Sequence, residues 1–179
     1  IAFGVLISSA GSSIIWPFQI LYISKQLHSP IATVATIVTI SSLTGMLVSF
    51  AGGFIADHLG RKPVMFISQV THGLAYILMS RATSYIGFLF PMTIMGAAMP
   101  FYAVGSDAMM ADMIPAENRT NAYSVLRIVN NAGIAIGPAI GGLLISRSYT
   151  LAFQAASIGM ISYSLILLFS VRETLNKKF

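Results

Sequence analysis

Gly52-Gly53-Phe54-Ile55-Ala56-Asp57-His58-Leu59-Gly60-Arg61-Lys62 separates two long apolar runs, residues 31–56 and 63–80. It gathers two adjacent glycines, an acid, a third glycine and two bases at one edge of a membrane. The glycines leave a strip of bare backbone that another helix can approach. Asp57 sits near the C-terminal end of its helix, where the helix dipole disfavours an anion. It needs compensation, either from a cation one turn away, which Arg61 can supply, or from the N-terminus of another helix. Gly60 suits the left-handed residue that ends a helix, and Pro63 suits the first turn of the next.

Composition sets the solvent. The 179 residues are 56% hydrophobic and 8% charged, with a mean hydropathy of +0.82. A soluble domain carries about a quarter charged residues. Long apolar runs of about 20 residues are transmembrane helices. With no cysteine, disulfides, thiol catalysis and cysteine metal sites drop out. The net charge of +5 is explained by topology rather than by nucleic acid, because the bases cluster at the ends of apolar runs. No nucleotide loop, metal-ligand cluster or nucleophile elbow is present, so an enzyme is not expected.

Six spans follow, at about residues 1–24, 31–56, 63–80, 85–110, 121–145 and 151–171. Arg61, Lys62, Arg119, Arg172, Lys177 and Lys178 fall on one side; Lys25, Arg81 and Arg147 fall on the other. That asymmetry puts the loop around Gly60, and both ends of the segment, in the cytoplasm. Pro17 and Pro100 lie in the C-terminal portions of the first and fourth spans. Interrupted helices at matching places point to the helices that line a substrate path; the alternative is that prolines are common in membrane helices.

Gly53, Asp57, Gly60, Arg61 and Lys62 fill, in register, a pattern that closely resembles the loop between the second and third helices of major facilitator superfamily transporters. A second motif agrees. Gly133, Gly137, Pro138, Gly141 and Gly142 in the fifth span resemble the fifth-helix motif of the superfamily's proton-coupled antiporters, especially drug exporters. Its spacing lines up three glycines on one face, and Pro138 can bend the helix. That suits a helix sealing a path against a second half; ordinary tight packing is the alternative. The resemblance covers essentially the whole chain. It implies an all-α membrane fold: the N-terminal six-helix half of a transporter, built from two inverted three-helix repeats. A second six-helix half is expected beyond Phe179, because two glycine-lined faces are read as having no partner within six helices; pairing with a second copy of the chain is the other option.

The resemblance also implies site residues. Acids at the end of the fourth helix and bases of the signature loop form a latch in this family, which assigns Asp57, Arg61, Asp107 and Arg119 to it, with Gly53, Gly60 and Lys62. Asp112 and Glu117 read as solvated loop charges. Arg127 marks a path or a pair, or snorkels to the interface. Asn130 and Asn131 lie one turn deeper. Trp16, Gln19, Tyr22, Phe101 and Tyr102 are candidates for a lipophilic pocket, or for packing. His72 is read as a packing residue rather than a proton carrier. Drug-exporting relatives often carry an arginine four residues before a glycine in the fourth helix; here Met92 precedes Gly96.

The function expected is secondary transport by alternating access in the cell membrane: efflux of small lipophilic compounds coupled to H+, with no cofactor, metal or nucleic acid. Its partners are the substrate, the bilayer and the second half. The alternatives are an uptake symporter or facilitator for a sugar, organic anion or other polar metabolite, and a non-transporting scaffold or receptor.

Overall fold

A computed structural model describes residues 2–174; Ile1 and residues 175–179, including the Lys177 and Lys178 used above for orientation, lie outside that range. The expected all-α bundle is what forms. Helix α1 spans Ala2–Ile15 and α2 Gln19–Gln26; α3 runs Ile31–Leu59, α4 Arg61–Arg81, α5 Tyr85–Met113, α6 Arg119–Ile145 and α7 Tyr149–Ser170. A 3₁₀ turn at Trp16–Phe18 divides α1 from α2. Pro17 causes it, since proline has no N–H for the next helical bond and its ring crowds the preceding turn. Pro91, Pro100 and Pro138 instead sit inside unbroken helices, so the expected interruption of the fourth span does not occur. Ser84 and Ser148 start α5 and α7 by accepting bonds from the N–H groups of Gly87 and Thr150, both at 3.1 Å.

The packing carries the repeat. Helix α1 packs against α6 and α7, while α5 packs against α3 and α4; α4 and α7 pair with each other. Exchanging α1 with α5, α3 with α6 and α4 with α7 maps this set of contacts onto itself. Helix α1 runs away from the Gly60 end and α5 runs toward it, so the two repeats are inverted. Among the described residues, Ala2–Gln26, Ile31–Leu59, Tyr85–Met113, Ala116–Ile145 and Tyr149–Ser170 are long and apolar enough to cross a bilayer. Helix α4 is not among them, although the sequence places a span there. It lies between α5 and α7 with Ser68 and Gln69 buried. Its polar groups therefore meet protein rather than lipid, and less hydropathy suffices. At about 1.5 Å per residue its length still traverses the bundle.

Two seams hold the repeats together by backbone contact. Gly133, Gly137 and Gly141 of α6 are buried against α1: a Cβ on Gly133 would come 2.8 Å from the Ala10 nitrogen, and one on Gly137 would come 2.7 Å from the Ala10 oxygen. The matching seam joins α3 to α5, where a Cβ on Gly45 would lie 2.8 Å from the Gly96 oxygen. Ser41 Oγ adds a bond to the Met92 carbonyl at 2.6 Å. The glycine face of the fifth span thus has its partner inside the bundle, which corrects the expectation that it waits for a missing half. The three-glycine stripe and the Ser9/Ala10/Ser13 stripe of α1 are both narrow, so the two helices approach to backbone contact. Gly53 and Gly142 face open space.

Candidate functional site

The Gly60 end is closed by a clamp. Helix α3 runs to Leu59, and Gly60 follows at φ 104° and ψ 151°. This is glycine-only backbone, more extended than the left-handed helical residue the sequence suggests. Helix α4 starts at once, and its first N–H groups have no helical acceptor. Glu173, three residues beyond α7, supplies one: Arg61 N–H and Lys62 N–H donate to its carboxylate at 3.2 and 3.0 Å. Lys62 Nζ donates to the Leu168 carbonyl at 2.6 Å, at the C-terminal end of α7. Arg61 forms an ion pair with Asp112. Arg119 donates to the carbonyls of Ala111 and Ile114 and so caps α5.

This arrangement redistributes the expected roles. Asp112 is the partner of Arg61, not a solvated loop charge, because α5 extends through Met113 and carries Asp112 on its last turn. Arg119 binds carbonyls instead of an acid. Asp57 is exposed, and among the described residues its carboxylate has neither ion pair nor hydrogen bond; Arg61 does not compensate it. Asp107 also stands outside the clamp. Glu117 lies exposed in the short 3₁₀ turn Ala116–Asn118.

Asp107 lines a cleft of about 600 Å³ instead. The C-terminal half of α5 contributes Tyr102, Ser106 and Asp107; the N-terminal half of α6 contributes Thr120, Tyr123, Ser124, Arg127 and Asn130; Val5 of α1 closes it. Tyr123 Oη donates to the Asp107 carbonyl at 3.3 Å. The hydroxyls of Tyr102 and Tyr163 lie 3.0 Å apart. No ion pair joins Asp107 to Arg127.

A second cleft, of about 740 Å³, opens in the half of the bundle away from Gly60. Trp16, Pro17 and Gln19 meet Met92, Met95, Met99 and Pro100 there, with Ser41 and Gly45 of α3 and His72 of α4. The two prolines noted in the sequence thus share one wall. Gln19 is buried, with Nε2 3.8 Å from the Met79 sulfur. The His72 Nδ1 lies 3.0 Å from the Ser68 carbonyl, so this ring both packs and faces the cleft. Methionines are flexible and polarisable and adapt to varied apolar guests.

The candidate cavity residues therefore divide. Tyr102, Arg127 and Asn130 belong to the polar cleft, and Trp16 and Gln19 to the apolar one. Tyr22 belongs to neither. It is core, with its ring centroid 4.8 Å from Tyr149, 5.0 Å from Phe153 and 5.8 Å from Phe88. Phe101 packs beside Gly52, and Asn131 is exposed outside both clefts. The sequence reading missed Met95 and Met99, whose signal was their spacing with Met92 along one helix face, and Glu173, which carried no local signal.

The family model described as Major Facilitator Superfamily matches residues 1–179. A Na(+), Li(+), K(+)/H(+) antiporter of Planococcus maritimus is 28% identical over 90% of this chain and 39% of its own length. The class H tetracycline resistance protein of Pasteurella multocida is 36% identical over 68% of this chain and 30% of its own. The quinolone resistance protein NorA of Staphylococcus aureus is 21% identical over 99% of this chain and 46% of its own. The crystal structure of the human organic anion transporter MFSD10 (TETRAN) superposes with a TM-score of 0.74 at 18% identity, over 98% of this chain and 47% of that one. The chain spans less than half the length of these relatives.

Proposed function

The chain belongs to the Major Facilitator Superfamily, and on that premise we propose that it is the N-terminal half of a proton-coupled exporter of small lipophilic compounds, working by alternating access in the cell membrane. The pair of clefts carries this reading. One, at the Gly60 end, is charged and hydroxyl-rich. The other, in the opposite half, is lined by Trp16, Met92, Met95 and Met99. A path that takes up amphiphilic guests at one face and releases them at the other needs both characters. The names of the relatives support efflux: two are resistance proteins and one is a cation/proton antiporter.

Coupling falls to Asp107 by elimination within this half. Asp112 is committed to Arg61 and Glu173 to the start of α4. Glu117 and Asp57 line neither cleft. Asp107 alone among the described acids lines either of these two clefts, where a carboxylate can take up and give back a proton as the site changes access. The unpaired Asp57 suits the N-terminus of a helix in the second half, and the bases around Gly60 favour a cytoplasmic face there. A second reading, transport of an organic anion, is favoured by Arg127 facing the polar cleft.

Inverted membrane vesicles carrying the full-length protein test both. After energisation, adding a lipophilic substrate is expected to release protons from the lumen, and Asp107→Asn is expected to abolish the release. A labelled anion that crosses while no lipophile moves protons would sink the efflux reading in favour of the second.

A further inference from the structure

Asp107 and Arg127 enter one cleft from neighbouring helices and do not pair. Two charges beside them are engaged elsewhere: Asp112 with Arg61, and Arg119 with the carbonyls of Ala111 and Ile114. Among the described residues the Arg127 guanidinium and the Asp107 carboxylate have no hydrogen bond or ion pair. Asp107 stands six residues before Met113, the end of α5, and Arg127 eight residues after Arg119, the start of α6. At about 1.5 Å per residue these positions lie roughly 9 and 12 Å inside the helices. Both residues are exposed in the structure, and unpaired ionisable residues of a membrane bundle that face a cavity mark a ligand path. Around them stand the hydroxyls of Thr120, Tyr123 and Ser124 and the amide of Asn130, in a volume of about 600 Å³, a size typical of small-molecule sites.

Resting on the efflux reading, we propose that this cleft selects zwitterions: compounds whose carboxylate meets Arg127 and whose ammonium group meets Asp107. A guanidinium binds a carboxylate through two parallel hydrogen bonds, and the carboxylate of Asp107 accepts from an ammonium group. A simple anion satisfies Arg127 but is repelled by Asp107. A simple cation does the reverse. Only a ligand with both groups compensates both residues, and the hydroxyls and amide can hydrogen-bond its neutral polar atoms.

The test uses the full-length protein in lipid nanodiscs and four analogues of one aromatic scaffold, bearing an ammonium group, a carboxylate, both, or neither. Binding is measured by equilibrium dialysis. The zwitterion is expected to bind at least about tenfold tighter than either singly charged analogue. Arg127→Gln should reduce it to the level of the ammonium analogue, and Asp107→Asn to that of the carboxylate analogue. Arg127→Lys and Asp107→Glu should keep most of the preference, which separates charge recognition from damage to the fold. A zwitterion that binds no tighter than its singly charged relatives, or that ignores Arg127→Gln, overturns the proposal. Transport of the same analogues in proteoliposomes is read separately. Proton-coupled movement of the neutral analogue without zwitterion preference leaves the efflux reading standing and removes this one. Charge-selective binding with no analogue moved keeps the site and removes the efflux reading.

Discussion

The two clefts occupy equivalent places in an inverted repeat and differ in almost every side chain. The polar one lies between the C-terminal half of α5 and the N-terminal half of α6; the apolar one lies beside the Pro17 break, against the N-terminal halves of α3 and α5. Behind each runs a glycine seam, α1 on α6 and α3 on α5, in which backbones touch. The scaffold is thus repeated while the lining is not. Symmetry fixes where a cleft forms, because it fixes which helices meet; the residues facing it are free to diverge, so one end acquires charge and the other methionine. This separates two kinds of substitution, those that strike the shared scaffold and those that strike one lining.

The largest effects belong to the scaffold. Gly137→Val puts new atoms into the Ala10 carbonyl and the Ser13 backbone, and Gly96→Val puts them into the Ser41 carbonyl. Backbone atoms in a seam cannot swing aside, so each is expected to destabilise the full-length protein by about 3 kcal/mol, at the upper end of overpacking costs. Gly142→Ala and Gly53→Ala meet nothing within 4 Å and should be neutral or gain about 0.5 kcal/mol from helix propensity. Thermal unfolding in detergent compares all four. If Gly96→Val were tolerated and Gly137→Val were not, the seams would not be equivalent and the symmetry argument would fail.

The clamp comes next. Arg61→Ala leaves Asp112 without its partner. The two side chains retain 15% and 32% exposure, so water absorbs part of the loss, and about 1–2 kcal/mol is expected, between surface and buried pairs. Asp107→Asn should change stability by less than about 0.5 kcal/mol, since no ion pair is lost. An equal cost at both positions would show that Asp107 belongs to the clamp after all. The exchange Arg61→Asp with Asp112→Arg, recovering much of the loss, would sharpen the assignment.

The sequence made the number of spans legible, because proline, glycine and charge punctuate apolar runs in ways that local physics dictates; the inversion of the repeats and the role of the clamp's bases were implied by the family resemblance. It chose as the partner of Arg61 an acid five residues too early in the same helix. Residues 111–113 look like loop on polarity alone, yet α5 continues through them, so Asp112 replaces Asp107 as the partner of Arg61. It also misjudged the fifth-span glycines. Their spacing announces a close neighbour but cannot name it, and the matching small residues of α1, Ser9, Ala10 and Ser13, carry no chemistry of their own that would mark them as that neighbour. Tyr22 resembled a pocket aromatic for the same reason in reverse: only the fold brings Phe88, Tyr149 and Phe153 around it.

The linings should respond independently. Met92→Ala and Met99→Ala together remove much of one wall of the apolar cleft and are expected to raise KM for a neutral lipophile about tenfold, equivalent to about 1.4 kcal/mol. Arg127→Gln should leave that KM unchanged within about twofold. Initial rates of efflux from proteoliposomes decide it. A neutral compound that tracks Arg127 rather than the methionines would mean that the two clefts act as one site and that their difference in chemistry is not a division of labour.

The smallest effect concerns the residue that closes the polar end. Glu173 lies in a segment that reads from sequence as the start of a basic tail, yet its carboxylate stands at the N-terminus of α4, accepting from Arg61 N–H and Lys62 N–H. A negative charge there complements the helix dipole and satisfies donors that have no helical acceptor. Glu173→Gln keeps an acceptor and removes the charge, so the expected loss is about 0.5 kcal/mol and should fade as salt is raised. Gly60 is coupled to it, because a Cβ at Gly60 would lie 2.7 Å from Glu173 Oε2. Gly60→Ala therefore costs more: it strains a backbone at φ 104° and displaces the carboxylate as well. In a double-mutant cycle on unfolding midpoints, Glu173→Gln should cost less in the Gly60→Ala background than alone. Strict additivity would mean that the glycine serves only the turn, and the clamp would then lose its link to the chain that follows α7.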